Sequence, residues 1–458
     1  MRRKAHSPHE KSYVMRLAFP TIFENMMSTL VQFADTAMVG SLGAAATAAV
    51  AVNASPTWVM NSLVMSVGVG GTALIARLIG GQKQKEAEDA CRQVFVLGIA
   101  AGLCLMALGY FMAPVIPVIM QTDPALYGEA IDYMRTISLG FVPYYTGMAL
   151  AAAARGTGDM RTPMLVSGAA NLLNVIGNFL LIYPSRQVTL LGFQWTMWGA
   201  GMGVRGAALS TAVSTGLSGV FMMISLLRGS HHLRLHLGKL LPDFSLIRRI
   251  LKVGIPAALE RLSISLGQMV FISMVASLGT VQLAAHHLAV TIESLSYMPG
   301  YGFAAAAATL VGQSLGAEEP EKARLQGGLS IRIAVIVMSF VGVLLYAFSG
   351  WWMALFTPEM DVREIGAAIL RICALEQPFT ALYIVSSGAL RGAGDTRMPF
   401  LISLISMWGV RLILAWLFIW QLGLGIEGAW WAMVIDLCFR GLFMLLRFYK
   451  GRWVHCNV

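Results

Sequence analysis

Long apolar runs separated by short polar connections fill this chain, and most runs approach or exceed the roughly 20 residues that cross a hydrocarbon layer. The pattern predicts twelve helical spans, at 14–40, 46–79, 91–113, 128–154, 162–183 and 204–227, then 247–276, 282–313, 328–350, 364–390, 397–420 and 425–448. The fold class is therefore an all-α integral membrane protein. Polar positions show that its halves are copies. At an offset of 236, Phe19-Pro20 pairs with Ile255-Pro256, Glu24 with Glu260, Gln32 with Gln268, and Gly80 with Gly316. Arg155-Gly156-Thr157-Gly158-Asp159 meets Arg391-Gly392-Ala393-Gly394-Asp395 without a gap. Six spans per half is an even number, so the repeats run parallel and are related by a pseudo-two-fold along the membrane normal. The expected organisation is two six-helix lobes, 1–227 and 247–458, around a basic cytoplasmic linker at 228–246. Such duplication of a hydrophobic chain is the mark of secondary transporters, whose sites lie between the repeats.

Composition agrees with a membrane protein: 57 % of residues are hydrophobic and 12 % charged, against about a quarter charged in soluble domains. Mean hydropathy is +0.68. A formal charge of +10 would suggest nucleic acid in a soluble protein, but here its location decides. Lys and Arg crowd the start and alternate connections, including 77–92, 155–161, 228–252 and 391–397, while the intervening connections largely lack them. This predicts a multi-pass protein of the plasma (inner) membrane with both termini cytoplasmic and no nucleic-acid partner. The linker histidines His231, His232 and His236 belong to that basic face. Five cysteines lack metal-ligand spacing and read as packing residues. Late in the first half the offset falls to 222, which leaves a loop with about 14 extra residues, whose Trp195 and Trp198 suit the outer interface.

Candidate chemistry is confined to a few polar side chains within the spans. Asp35 lies deep in the first, where an ionised carboxylate is costly unless it faces a cavity or binds an ion or proton. Its repeat partner at the same offset is Phe271, so the carboxylate is not part of the shared scaffold. Asn174 and Asn178, four apart, share one helical face, with Asn171 a turn earlier. Their carboxamide oxygens suit a small hard cation, although interhelical hydrogen bonding is an equally ordinary use. Positions 410 and 414, their partners at that offset, are Val410 and Leu414. Glu24 and Glu260, one turn beyond Pro20 and Pro256, are candidates for binding cationic substrates or for structural anchoring. Gln32 and Gln268 join them as candidate substrate contacts. The 28 methionines offer adaptable surface for a cavity. Gly201-Met202-Gly203-Val204-Arg205-Gly206 matches the dinucleotide fingerprint but follows no strand, and is read as close-packing glycine. No catalytic constellation and no Walker loop occur, so neither an enzyme nor a cofactor is expected.

Several of these residues together resemble a known family, the multidrug and toxic compound extrusion (MATE) transporters of bacterial type. They are Asp35-Thr36-Ala37-Met38-Val39-Gly40, both copies of Arg-Gly-x-Gly-Asp-x-Arg-x-Pro, the Gly-[Val/Ile]-x-Gly-Ala that opens the last span of each half, and Pro256-Ala257-Ala258-Leu259-Glu260. The resemblance covers essentially the whole chain. It implies a V-shaped pair of lobes that alternate between two orientations and export cationic or amphiphilic drugs and metabolites in exchange for Na⁺ or H⁺. It further implies a cation site at Asp35, Asn174, Asn178 and Thr211, with Asp35, Asn174 and Asn178 as Na⁺ ligands, and a role for Glu260. A monomer in contact with membrane lipid and small organic cations is expected. A second carboxylate that some members carry in the tenth span is replaced here by Thr380 and Ala381. Two other readings remain open: a flippase for a lipid-linked precursor, favoured by Arg135, Arg261, Arg371 and Arg411 inside predicted spans, and a receptor or scaffold without transport.

Overall fold

A computed structural model describes residues 8–190, 193–229, 233–238 and 240–456. His231 and His232 lie outside the described residues. The first lobe comprises α1 (Pro8–Gly40), α2 (Ala44–Gly80), α3 (Gln84–Met112), α4 (Pro124–Leu139 with Phe141–Thr157), α5 (Arg161–Leu181) and α6 (Gly203–Arg228). The second comprises α7 (Phe244–Ala276), α8 (Thr280–Ser296 with Met298–Gly316), α9 (Pro320–Ala347), α10 (Met360–Gly392), α11 (Arg397–Gln421) and α12 (Gly425–Lys450). The predicted all-α, twelve-helix, two-lobe architecture is the one observed.

Helices extend beyond the apolar runs because hydropathy marks the part inside lipid, whereas polar residues such as those of 84–90 and 320–327 continue the same helices outside it. Among the described residues, nine helices are long and apolar enough to cross a membrane alone, and α4 makes a tenth when its two pieces, bent by 52°, count together. The remaining pair, α1 and α8, are richer in polar or breaking residues. α1 carries Glu24 and Asp35 yet has 33 residues, about 50 Å at 1.5 Å per residue. α8 is interrupted at Tyr297, where Pro299 opens the second piece.

Three spans expected to be continuous are broken. α2 is interrupted at Val52-Asn53, and the buried Asn53 amide donates to the Ala49 and Ala130 carbonyls. α4 bends at Gly140, which touches the Ala212 backbone. α8 breaks as described. Pro20 and Pro256 each lie inside a helix that continues past the proline. The long loop also differs from expectation: β1 (Pro184–Leu190) and β2 (Phe193–Ala200) pair as an antiparallel hairpin.

Between the lobes, packing follows the repeat symmetry. A Cβ at Gly80 would collide with the Gln313 carbonyl oxygen, and one at Gly316 would collide with that of Arg77. Since 77 and 313 are themselves repeat partners, one backbone contact is made twice across the pseudo-axis, and small residues let the helices approach that closely. Nearby, Thr309 Oγ1 donates to the Arg155 carbonyl at 2.8 Å, Gln313 Nε2 to that of Gly156 at 3.1 Å, and Arg77 Nη1 to that of Cys456 at 2.6 Å. All these contacts lie on the side of the molecule that bears both ends of the described chain. The linker is fastened to α3 through Gln93, which bonds the Leu241 carbonyl and the Asp243 amide.

Candidate functional site

The first-lobe cluster is built where α1, α5 and α6 converge. Close approach of α5 and α6 is set by Gly206, where a Cβ would collide with the Leu181 carbonyl oxygen. Asn174 and Asn178 are buried one turn apart on α5. Asn178 Nδ2 donates to Asp35 Oδ1 at 2.5 Å. With its amide nitrogen turned to the carboxylate, Asn174 donates at 2.7 and 3.0 Å to the two Asp35 oxygens. Its other amide position then lies 3.3 Å from Thr211 Oγ1 on α6. The four residues named from sequence thus form one connected group, whereas Asn171 turns away to Ser28. Asn178 Oδ1 is buried and lacks a partner among the described residues. A buried, unsatisfied carbonyl oxygen beside a carboxylate, a second carboxamide and a hydroxyl is a donor set that fits a small hard cation.

At the corresponding place in the second lobe the chemistry is reversed. α11 contains a π-helical stretch at Ile405–Arg411, and each π-bulge inserts a residue and rotates the rest of the helix. Burial shows the shift: Ala170 and Ser406 match at offset 236, but the buried Asn174 and Asn178 match the buried Arg411 and Ala415 at 237. The partners expected from spacing, Val410 and Leu414, are corrected accordingly, because a gapless alignment cannot see an inserted residue that leaves helix length nearly unchanged. Arg411 Nε and Nη2 each stand 2.7 Å from Asp436 Oδ2, and Nη1 donates to Gln268 Oε1 at 3.1 Å. Arg440 adds bonds of 3.1 and 2.9 Å to the same carboxylate, and Ser406 Oγ donates to it. The Arg411 guanidinium lies 5.7 Å from the ring of Phe271, the partner of Asp35. A fixed cation therefore stands where the first lobe has two amides.

Glu24 and Glu260 are held alike. Arg155 Nη2 donates to Glu24 Oε1 at 2.8 Å, and Arg391 Nη2 donates to Glu260 Oε2 at 2.7 Å. Both pairs span 131 residues and join the first helix of a lobe to its glycine-rich turn. Glu260 is wholly buried and also accepts from Ser403 at 2.9 Å and Tyr383 at 3.4 Å. Glu24 keeps an Oε2 that is unpartnered among the described residues and lines a cavity of about 450 Å³, with Asn61, Trp58 and Met65 among its walls. Glu260 has its oxygens engaged within its own lobe, and it lines neither this cavity nor the adjoining one of about 220 Å³. Gln268 is tied to Arg411, and Gln32 is exposed on α1; neither lines these cavities.

Two buried acidic features escaped the sequence reading. Glu293, Cys373 and Glu376 bring potential ligand atoms within 4.8 Å of one another, and Asp436 anchors the arginine network. Their signal was the one used for Asp35, a carboxylate inside a predicted span. Of the arginines that favoured a phosphate-binding cavity, Arg411 is paired, Arg371 donates to Ser349 and Arg135 lies over the Tyr110 ring. Arg261 alone of the four lines both cavities.

Two parallel six-helix lobes, a cavity between them and a buried polar cluster in one lobe define a membrane transporter class. The family profile described as MatE matches residues 20–180 and 256–417, and the chain belongs to that family, the MATE transporters. It is 31 % identical over 457 residues to the probable multidrug resistance protein NorM of Thermotoga maritima, covering 98 % of this chain and 94 % of that protein. The uncharacterized transporter YisQ of Bacillus subtilis is 26 % identical over 453 residues, covering 98 % and 96 %. An outward-facing multidrug resistance MATE transporter of the MOP superfamily superposes with a TM-score of 0.88 at 23 % identity, covering 96 % of this chain and 95 % of that one.

Proposed function

We propose that the chain is a secondary antiporter that exports small amphiphilic drugs or metabolites in exchange for Na⁺ or H⁺, coupled through the first lobe. The observation that carries this reading is the contrast between Asp35, beside the orphaned Asn178 oxygen, and the second-lobe position already filled by Arg411. A ligand shifts a conformational equilibrium only through different affinities for its two states, and a tethered guanidinium cannot leave. Asp35 can exchange its partner.

The side chains suggest how Na⁺ and H⁺ would differ. Asn174 and Asn178 present amide nitrogens to Asp35 here, so holding Na⁺ requires them to turn their oxygens inward, with Thr211 in reach. A proton needs Asp35 alone. Export would proceed as the contacts between α2 and α8 and at the Arg155 turn part on one side, while the lobes close on the other. The names of the multidrug resistance relatives support the substrate class, and the cavity of about 450 Å³ falls within the usual range for drug-sized ligands, roughly 300 to 1,000 Å³. The test is reconstitution into vesicles with Na⁺ and pH gradients imposed separately while an amphiphilic dye is followed. Dye movement driven by one of them is expected, and movement indifferent to both would overturn the proposal.

A further inference from the structure

The cavity of about 220 Å³ lies on the pseudo-two-fold, because its walls come in repeat pairs: Met65 with Tyr301, Thr72 with Ala308, and Arg155 with Arg391. The neighbouring larger cavity shares Arg155 and Arg261 with it. Against that symmetric lining one charge stands out. Arg261 has as its repeat partner Asn25, which lines the larger cavity from the opposite lobe. The duplicated scaffold therefore accepts a neutral side chain at this place, and the guanidinium is an addition of the second lobe.

Five other interior arginines have carboxylates. Arg155, Arg391, Arg411, Arg440 and Arg447 each meet one at 2.9 Å or less. Among the described residues Arg261 makes no such ion pair, although it follows Glu260 directly, because both Glu260 oxygens are engaged by Arg391, Ser403 and Tyr383. Its near neighbours are Tyr301, whose ring lies 5.8 Å from Cζ and whose side chain is hydrogen-bonded to it, and the Glu260 carboxylate, which Arg391 already holds. A guanidinium inside the bilayer that has no ion-pair partner of its own, with Glu260 next to it already paired to Arg391, is costly and marks function by default. The planar guanidinium fork matches carboxylate, sulfonate and phosphate oxygens two at a time.

We infer that Arg261 is a specificity-determining residue that receives an anionic group on the compound carried between the lobes. The inference rests on the transport reading for its meaning, but its binding chemistry can be measured apart from it. An anionic group meets Arg261, and the apolar body of the same compound lies on the Trp58 and Met65 side of the cavity. The group could belong to a soluble amphiphile or to a lipid headgroup.

A rhodamine carboxylate and its methyl ester differ at the one group in question. Binding of each to the full chain in detergent is read by fluorescence anisotropy, with no gradient present. Because hydrogen bonds to charged groups contribute about 1.5 to 3 kcal/mol, the wild-type chain should bind the acid about tenfold or more tightly than the ester. Arg261→Gln should remove that preference by weakening the acid alone, and Arg261→Lys should retain part of it. A parallel arm follows the movement of a short-chain fluorescent phosphatidylglycerol in vesicles. Arg261-dependent lipid movement would assign the anionic group to a headgroup, and acid binding without lipid movement would assign it to a soluble amphiphile; both support the inference. Equal wild-type affinity for acid and ester together with no lipid movement overturns it, as does an acid preference that survives in Arg261→Gln, or equal weakening of both dyes. Should Arg261→Gln fail to fold, the wild-type comparison and Arg261→Lys decide. Dye binding without gradient-driven export would count against the transport reading, not against this one.

Discussion

The two lobes share a scaffold and differ in where they keep their charge. In the first, Asp35 on α1 is surrounded by neutral amides and a hydroxyl, and one buried oxygen lacks a partner among the described residues. In the second, the α1-equivalent residue is Phe271, and a guanidinium from α11 is locked to a carboxylate from α12. One arrangement has the oxygen donors that the proposed cation exchange requires, and the other carries its own cation. Duplication supplies two equivalent places, and they can serve different ends once one of them is neutralised from within.

The contrast between the lobes is most exposed to failure when the second lobe is unpaired. Asp436→Asn leaves Arg411 and Arg440 buried without their carboxylate, and removing one partner of a buried pair costs about 3 to 5 kcal/mol. A large loss of thermal stability in detergent is expected, with the triple replacement Arg411→Met/Asp436→Leu/Arg440→Leu recovering much of it. If Asp436→Asn is as stable as the wild type, the network is not the lock described here.

Glu260→Gln and Glu24→Gln separate the lobes further. Glu260→Gln removes a buried carboxylate and leaves the half-buried Arg391 without its partner, and should lower stability by about 3 kcal/mol. Glu24→Gln, at a partly open position, should cost less stability and change dye affinity more. Matching effects on both readouts would remove the distinction drawn from the cavity lining. A smaller change is expected from Asn178→Ala, which should raise the Na⁺ concentration needed for half-maximal export if Na⁺ drives it, and should alter a proton-driven cycle little. Smallest in effect is a labelling test: cysteines placed at the turns after Arg155 and Arg391 should both resist impermeant reagents in intact cells, and ready labelling of either would reverse the proposed orientation.

The two-lobe fold was legible because the 236-residue repeat and the apolar runs are properties of composition and spacing. Helix breaks at Val52-Asn53 and Gly140 were not, since they involve tertiary partners, the Ala130 carbonyl and the Ala212 backbone, and the break at Tyr297, just before Pro299, is hidden within a continuous apolar run. The first-lobe cluster could be read because its three polar α1 and α5 positions oppose apolar partners in the gapless alignment. The second-lobe network could not, since the π-helical stretch at 405–411 displaces Arg411 by one residue from the position that the repeat indicates. Nor could the sequence show that three donors from its own lobe surround Glu260.

Whether Asp35 couples the cation to export is decided by gradient-driven transport in Asp35→Asn. In vesicles holding this variant, with Na⁺ and pH gradients applied in turn, no concentrative dye export is expected under either gradient, while the purified protein stays folded and still binds the dye. Full gradient-driven export by Asp35→Asn would contradict first-lobe coupling.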